Sequence, residues 1–313
     1  MNKIAIIGPG AIGSLLAASL ARKKKVEVWL LDKHPRRARK LLETGIRVES
    51  TGSAAAYTAK VNVSCDAKDI GPCGLIVCCV KSYDTAAAVK DIAPLIGDDT
   101  SVLSFQNGLG NWEILAEAAG SERVLAGSTA QAAMLRADGQ VVHTGSGETI
   151  IGRPDGKMTV AMRSIRDIFG LSGWPLRLSK DITAVIWSKL ILNVGINAVT
   201  ALTRLPNGAL PETEPAKEII ALAVAEAVQV AKKQRVKLLY DDPVQKVESL
   251  CRDTAENFSS MLQDILKRRR TEIEYINGAI VRLAKNHKTA VPANTVLSDL
   301  VRVIESSYIH QVK

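Results

Sequence analysis

The chain has 313 residues, 47% of them hydrophobic and 23% charged, which is enough to build two domains with a core each. This composition excludes a mainly disordered protein. We expect no membrane span, because the longest uninterrupted apolar stretches are too short to cross a bilayer. We also expect no secretory signal, because only Ile4–Ile7 is apolar before the first glycine, Gly8.

The cysteine content and the net charge indicate the cellular compartment of the protein and the kinds of partner that it binds. The five cysteines are an odd number without metal-ligand spacing, so we expect reduced thiols, no metal site and a cytoplasmic protein. The net charge is +9, and residues 1–47 hold eleven lysines and arginines against three acids. A basic region of this kind attracts nucleic acid or a phosphorylated small molecule, or is simply a solvated surface. Few aromatic residues and no nucleic-acid motif argue against a nucleic-acid partner.

The N-terminus predicts a strand, a glycine turn, a helix and a second strand in direct succession. The strand is Ile4–Ile7, the helix is Ser14–Arg22 and the second strand is Val26–Leu31. This is the setting in which G-x-G-x-x-G binds a dinucleotide, with the phosphates at the helix N-terminus. The alternative is a glycine turn without a ligand. The predicted cofactor-binding turn consists of Gly8, Pro9, Gly10, Ala11, Ile12 and Gly13.

Further short apolar runs alternate with segments of helical pattern, which predicts a doubly wound, mostly parallel sheet. We expect strands at Leu75–Val80, Ser101–Phe105 and Val124–Ala126, and helices at Asp84–Ile96 and Asn111–Ala119. The β-branched runs between Gln140 and Gly152 predict one or two late strands that extend the same sheet.

Beyond Asp181 nearly every segment has a helical pattern. We therefore predict an α/β protein with a Rossmann-like dinucleotide-binding domain at residues 1–180 and an all-helical substrate domain at residues 181–313, with a cleft between them. The helices are expected at Ile186–Leu202, Pro215–Gln234, Asp242–Glu256, Asn257–Arg268, Thr271–Lys285 and Pro292–Ser307.

The end of the second strand carries conflicting signals for the choice of dinucleotide. Asp32 is placed to bind the ribose 2′-OH of NAD, and is equally a candidate turn residue or helix cap. Lys33, Arg36 and Arg37 offer positive charge for the 2′-phosphate of NADP. The surrounding excess of basic residues favours NADP, and NAD stays the alternative.

One row of polar residues marks the first predicted helix of the second domain. Lys189, Asn193 and Asn197 are spaced i, i+4 and i+8, so they lie on one side of a helix whose other positions are mainly apolar. Because burial of an unpaired lysine is costly, the row must face a ligand or an internal acid. The first reading makes it a catalytic site, and the second a structural ion pair.

Two loops at the predicted carboxyl ends of strands are further candidates. Lys81 follows one strand and could neutralise an anion, and Asn107-Gly108 follows the next. Ligands of doubly wound sheets bind at this edge, although an Asn-Gly pair by itself is most often a turn.

On these residues the sequence resembles the ketopantoate reductase (2-dehydropantoate 2-reductase) family along essentially the whole chain. The segments that carry the resemblance are Gly8–Gly13, Val80–Ser82, Gln106–Gly110, Trp187–Leu190 with Asn193 and Asn197, Pro206–Gly208, Glu256–Asp264 and Arg270–Gly278.

The resemblance implies roles for individual residues. Lys189 would be the proton donor, and Glu272 the acid that approaches cofactor and lysine. Asn107 would lie between cofactor and substrate, and Ala133 would line the cofactor site. The residues implied to contact substrate are Asn193, Asn197, Asn207 and Ser260.

The implied activity is NADPH-dependent reduction of ketopantoate to pantoate, for pantothenate and coenzyme A biosynthesis, by a monomer or homodimer. Two alternatives stay open: a reductase of another branched 2-oxo acid, and a non-catalytic dinucleotide sensor. The sequence departs from the family at the end of the second strand, where NADPH-dependent members often carry arginine and this chain has Leu31 followed by Asp32. Cofactor preference is therefore the open point.

Overall fold

The computed structural model describes residues 2–51 and 55–310, which form two compact units. The first unit comprises Met1–Gln106 and Gly110–Ile182, and the second comprises Asn107–Leu109 and Thr183–Lys313. The short segment Asn107–Leu109 thus lies within the sequence of the first unit but packs with the second.

An eight-stranded sheet forms the centre of the first unit, in the order β12-β11-β8-β7-β6-β1-β2-β5. Neighbouring strands are parallel except for the β8–β11 pair. Its strands are β1 (Lys3–Ile7), β2 (Glu27–Leu31), β5 (Asn62–Ser64), β6 (Cys73–Cys78), β7 (Ile96–Ser104), β8 (Val124–Thr129), β11 (Thr149–Gly152) and β12 (Leu176–Ser179). This sheet confirms the predicted doubly wound, Rossmann-like class.

A second, four-stranded sheet was missed by the sequence analysis. Its order is β4-β3-β10-β9, from β3 (Ile46–Ser50), β4 (Tyr57–Ala59), β9 (Ala132–Ala137) and β10 (Gln140–Gly145). The prediction that the strands after Gln140 extend the main sheet was therefore half wrong: β11 does so, whereas β10 pairs with β3 and β9.

Among the described residues, the first unit also contains the helices α1 (Ala11–Arg22), α2 (Pro35–Thr44), α3 (Ala67–Ile70), α4 (Thr85–Ala88), α5 (Asn111–Ala119) and α6 (Val160–Leu171). Helix α1 packs on strands of both sheets, which explains why Gly13–Leu20 is buried on every side. The single helix predicted at Asp84–Ile96 was wrong, because α4 is followed by short 3-10 turns. Pro94 lies in the last of these turns, where its missing N–H opposes a continuous α-helix.

The second unit is helical, as predicted. Its helices are α7 (Ile182–Thr203), whose first residue still belongs to the first unit, α8 (Glu214–Lys233), α9 (Pro243–Asp253), α10 (Ser260–Leu266), α11 (Asn277–Asn286) and α12 (Pro292–Ser306). The predicted helix Thr271–Lys285 was partly wrong: Ile273–Tyr275 forms a 3-10 turn, and α11 begins only at Asn277.

Helix α7 lies in the core of the second unit. By length and composition alone it could cross a membrane, but most of its apolar stretch is buried within the protein. A core helix surrounded by other helices has the same composition, so this property is weak evidence for a span. The sequence did not predict an apolar helix of this length, because Lys189 and the asparagines interrupt the apolar run.

Candidate functional site

The glycine turn joins β1 to α1 through close backbone contacts. Gly8 has φ +94°, and a Cβ there would lie 2.7 Å from Val80 Cγ1. A Cβ on Gly13 would lie 2.2 Å from the Gly8 carbonyl oxygen, so only glycine allows this turn. At Gly10, by contrast, a Cβ would meet no atom within 4 Å.

Two features of this turn fit a phosphate group. Gly10 is the N-cap of α1, and this helix end has no side-chain cap. The Oγ atom of Ser14, in the first turns of α1, is fully buried and has no hydrogen-bond partner among the described residues. Exposed backbone N–H groups at a helix N-terminus attract anions, so the geometry suits the pyrophosphate of a dinucleotide.

Asp32, at the end of β2, is committed to contacts within the protein. Its carboxylate accepts hydrogen bonds of 2.6 Å from both Nε and Nη2 of Arg37, and one of 3.0 Å from the backbone N–H of His34. The side chain is fully buried, and the bond to Asp32 raises the pKa of Arg37. Asp32 therefore forms an ion pair and a turn contact within the protein, and its predicted contact with the ribose of NAD stays a prediction.

The other basic candidates near this strand end are more exposed. Lys33 donates to Asp84 Oδ1 at 3.1 Å, yet its side chain is 61% exposed. Arg36 lies on the surface at the start of α2. These two residues keep the positive charge that the sequence suggested for a 2′-phosphate.

A buried polar network that the sequence analysis missed supports the loops after β6 and β7. Gln106 donates to the Val80 carbonyl at 3.1 Å and to Thr85 Oγ1 at 2.6 Å. Asn111 accepts from Thr85 Oγ1 at 3.0 Å and donates to Ser82 Oγ at 3.2 Å. The network holds the backbone next to Lys81, which is partly buried.

Ala133 lies on β9 in the second sheet, where it is partly buried and packs against the core that includes α1. Its predicted contact with cofactor stays a prediction.

In the second unit, Lys189 on α7 lies near Glu272. Burial lowers the pKa of Lys189 to about 8, and the negative charge of Glu272 opposes that shift. Glu272 itself is 4% exposed and precedes the 3-10 turn Ile273–Tyr275, so its expected place on a helix was wrong. Both readings of the polar row therefore find support, because the lysine has an acid nearby and a pKa close to neutrality.

Asn107 belongs to the same group. Its Nδ2 donates to Glu272 Oε2 at 3.3 Å. The adjacent backbone N–H of Leu109 donates to the Tyr275 carbonyl at 3.0 Å, so the segment Asn107–Leu109 is joined to the turn that carries Glu272. The structure thus brings together three of the predicted site residues: Asn107, Lys189 and Glu272.

The two asparagines of the polar row follow Lys189 along α7, with Asn193 partly buried and Asn197 5% exposed. One turn further, Thr200 donates to Ser259 Oγ at 2.7 Å, and Ser259 caps α10 by accepting from the N–H of Leu262. Ser259 is therefore used in structure, whereas the predicted substrate residue Ser260 is exposed.

Asn207 lies in a 3-10 turn after α7. Its Nδ2 donates to Thr254 Oγ1 at 2.9 Å, and its backbone N–H donates to the Asn257 carbonyl at 3.0 Å. Its Oδ1 is buried and accepts no hydrogen bond from any described residue. A buried acceptor without a donor is costly, so this oxygen suits a ligand hydroxyl.

Comparison with known proteins agrees with this architecture. The family model described as "Ketopantoate reductase PanE/ApbA" matches residues 4–156, and the model of its C-terminal part matches residues 181–305. A 2-dehydropantoate 2-reductase of Halobacterium salinarum is 36% identical over 97% of this chain and 99% of its own length.

Two solved structures are similar over nearly their whole length. A PanE/ApbA family ketopantoate reductase from Ralstonia eutropha superposes with a TM-score of 0.90 at 33% identity, covering 98% of this chain and 100% of the other. A D-mandelate dehydrogenase, solved with NADH and anilino(oxo)acetate, also gives 0.90 at 29% identity, covering 99% and 100%. With both family models matched and relatives above 30% identity along the full chain, this protein belongs to the ketopantoate reductase PanE/ApbA family of oxidoreductases.

Proposed function

We propose that this protein is a 2-dehydropantoate 2-reductase, which reduces ketopantoate to pantoate with NADPH. The observation that carries the proposal is Lys189: it lies on a core helix, its pKa is lowered to about 8, and Glu272 is beside it. A general acid works best with a pKa near the operating pH, and this lysine meets that condition. The dinucleotide when bound would supply a hydride to C2 of the substrate.

The residues of this chain divide the remaining work. The glycine turn and the N-terminus of α1 would hold the pyrophosphate, with the open position at Gly10 facing it and Lys81 adding positive charge. Lys189 would stabilise the negative charge that develops on the carbonyl oxygen and then donate its proton there. The product would be a 2-hydroxy acid, and the neutral amine of Lys189 would regain a proton from solvent.

Side chains around Lys189 would orient the substrate. Asn193 and Asn197 offer amide donors and acceptors along α7, and the exposed hydroxyl of Ser260 offers a further contact. The buried Oδ1 of Asn207 would accept a hydrogen bond from a substrate hydroxyl. Glu272 would balance the charge of the lysine, and Asn107 would hold Glu272 in place.

NADPH is proposed over NADH on the exposed charge of Lys33 and Arg36 and on the sequestration of Asp32 by Arg37. A carboxylate that already accepts three hydrogen bonds is poorly available to a ribose hydroxyl. A cytoplasmic location is also part of the proposal, supported by the five cysteines, all within the described residues, which are free thiols.

Reduction of a different 2-oxo acid is the second candidate. The structural similarity to a D-mandelate dehydrogenase bound to NADH and anilino(oxo)acetate favours it, because that protein shares the fold along its full length. A non-catalytic dinucleotide sensor is less well supported, because sensing alone would not require Lys189 and Glu272 in the second unit.

One assay separates these functions. Purified protein is incubated with NADPH or NADH and with ketopantoate, or with the 2-oxo acid that corresponds to mandelate, and absorbance of the reduced nicotinamide is followed. We expect kcat/KM to be highest with ketopantoate and NADPH. Higher kcat/KM with the aromatic acid would favour the second candidate, and tight dinucleotide binding without any turnover would favour the sensor.

A further inference from the structure

Contacts at the start, in the middle and at the end fix the segment of residues 271–277, which carries Glu272, and Arg302 forms an ion pair with Glu274 within it. At its start, the N–H of Thr271 donates to Glu305 Oε1 at 2.6 Å. In the middle, the Tyr275 carbonyl accepts the N–H of Leu109 at 3.0 Å. At its end, Asn277 Nδ2 donates to the Val194 carbonyl of α7 at 3.3 Å. The first and third contacts come from helices of the second unit, whereas the middle one comes from a segment distant in sequence.

The middle contact requires a glycine. Gly108 has φ +81°, and a Cβ there would lie 2.2 Å from the Tyr275 carbonyl oxygen and 2.7 Å from its carbonyl carbon. A carbonyl oxygen and carbon belong to the backbone, so they cannot rotate away as a side chain would. Any residue larger than glycine must therefore separate Asn107–Leu109 from the turn.

Leu109 contributes the apolar part of the same attachment. Its side chain is partly buried and packs against the hydrophobic core of the second unit. The backbone bond and this packing together place the neighbouring Asn107, whose Nδ2 donates to Glu272.

We propose that Gly108 and Leu109 are positioning residues, which attach the segment to Tyr275 so that the Asn107 amide holds Glu272 beside Lys189. This rests on the proposed function only for its kinetic readout. The two residues act through Asn107 and touch neither substrate nor the reacting atoms. An Asn-Gly pair by itself is most often a turn, and the contact with Tyr275 is a second, steric reason for the glycine.

The test is a double-mutant cycle between Gly108→Ala and Asn107→Ala. We expect Gly108→Ala to lower kcat at least tenfold with the cofactor Kd within threefold of wild type. The double variant should be no slower than the slower single variant, because both changes remove the same contact to Glu272. Losses that multiply in the double variant, or a kcat within twofold of wild type for Gly108→Ala, would overturn the proposal.

Gly173→Ala is the matched control. Gly173 has nearly the same φ, +83°, but a Cβ there meets no atom within 4 Å. Gly173→Ala therefore introduces the same backbone strain as Gly108→Ala, because φ is positive at both positions, but no steric clash. We expect a lower Tm with kcat unchanged. If Gly173→Ala and Gly108→Ala lose kcat equally, general destabilisation explains the effect and the proposal is wrong.

Leu109→Ala provides a second variant should Gly108→Ala fail to fold. It introduces no strain, and we expect a smaller kcat loss that again does not multiply with Asn107→Ala. The coupling can also be measured without substrate, from the unfolding of Leu109→Ala, Glu272→Ala and their double variant, because alanine removes the oxygen that accepts from Asn107. Non-additive changes in the free energy of unfolding, together with no turnover by the wild type, would support the attachment of Asn107–Leu109 to the turn that carries Glu272 but refute the proposed function. Additive changes would refute this attachment and leave the proposed function untouched.

Discussion

Helices α1 and α7 are both buried, but they are built for different chemistry. Helix α1 lies between two sheets, and its candidate function depends on backbone: glycines at its start and N–H groups at its N-terminus. Helix α7 lies among other helices, and its candidate function depends on the side chains of Lys189, Asn193 and Asn197. One buried helix thus offers a candidate backbone site for phosphate, and the other a candidate side-chain site for proton transfer.

Removal of the Lys189 amine tests the candidate side-chain site on α7, and we expect it to have the largest effect of the changes proposed. Lys189→Ala should lower kcat by at least ~10²-fold, the range of a general acid, because no other group on α7 offers a titratable proton. The cofactor Kd and Tm, measured by fluorescence titration and thermal unfolding, should stay close to wild type. Lys233→Ala, at the exposed end of α8, is the control, and we expect it to retain full activity. Turnover of Lys189→Ala within a few-fold of wild type at saturating substrate would refute its assignment as the acid.

The candidate backbone site at the N-terminus of α1 is tested by Gly10→Ala, which adds a methyl group to the glycine turn. A Cβ there meets no protein atom within 4 Å, so Gly10→Ala should fold normally. It should nevertheless weaken cofactor binding at least tenfold, about 1.4 kcal/mol, because the methyl group would take the space in front of the phosphates. Calorimetric titration with NADPH measures the change.

Variants at two other glycines serve as controls for Gly10→Ala. Gly13→Ala should lose both stability and cofactor affinity, because its Cβ would lie 2.2 Å from the Gly8 carbonyl oxygen. Gly170→Ala, on α6 with open space around it, should leave cofactor affinity unchanged and raise stability slightly, because alanine favours a helix more than glycine does. Unchanged NADPH affinity in a folded Gly10→Ala would show that the turn is structural only.

The two helices also differ in how far sequence could predict them. The glycine turn and the polar row of α7 follow from local spacing, so both were predicted, as was the fold class. The second sheet was not, because β3 and β10 are short and pair across a long stretch of sequence. The turn at Glu272 was not either, because the Tyr275 carbonyl is taken by Leu109, a partner that no local pattern reveals. The ion pair between Asp32 and Arg37 was not predicted either, because several basic residues follow Asp32 and the sequence does not show which of them pairs with it.

The charge on Glu272 offers a finer test of the side-chain site. This carboxylate raises the pKa of Lys189, so Glu272→Gln should lower that pKa below its present value of about 8. The acid must be protonated to act, and kcat for reduction falls as pH rises through its pKa. We therefore expect the alkaline limb of the kcat profile to move to lower pH. At pH 7 kcat of the variant should be modestly below that of wild type, and above the lowered pKa it should fall by about tenfold per pH unit.

The pH profile is measured at saturating substrate and cofactor, where kcat reports the groups of the complex. Glu248→Gln on α9 removes the same charge from the surface and should leave the profile unchanged. An alkaline limb that stays in place in Glu272→Gln, or that moves to higher pH, would contradict the proposed coupling between acid and lysine.

The smallest expected effect concerns the strand end next to α1. Arg37 is held by Asp32, so the 2′-phosphate would depend on the exposed Lys33 and Arg36. The double variant Lys33→Ala/Arg36→Ala should weaken NADPH several-fold and NADH hardly at all. The difference should shrink at high salt, because exposed charges are screened within about 10 Å at 0.1 M ionic strength. Arg39→Ala/Lys40→Ala removes the same charge from α2 and should affect both cofactors equally and weakly. Equal weakening by the first pair, or a wild type that prefers NADH, would show that Asp32 decides cofactor choice in spite of its ion pair.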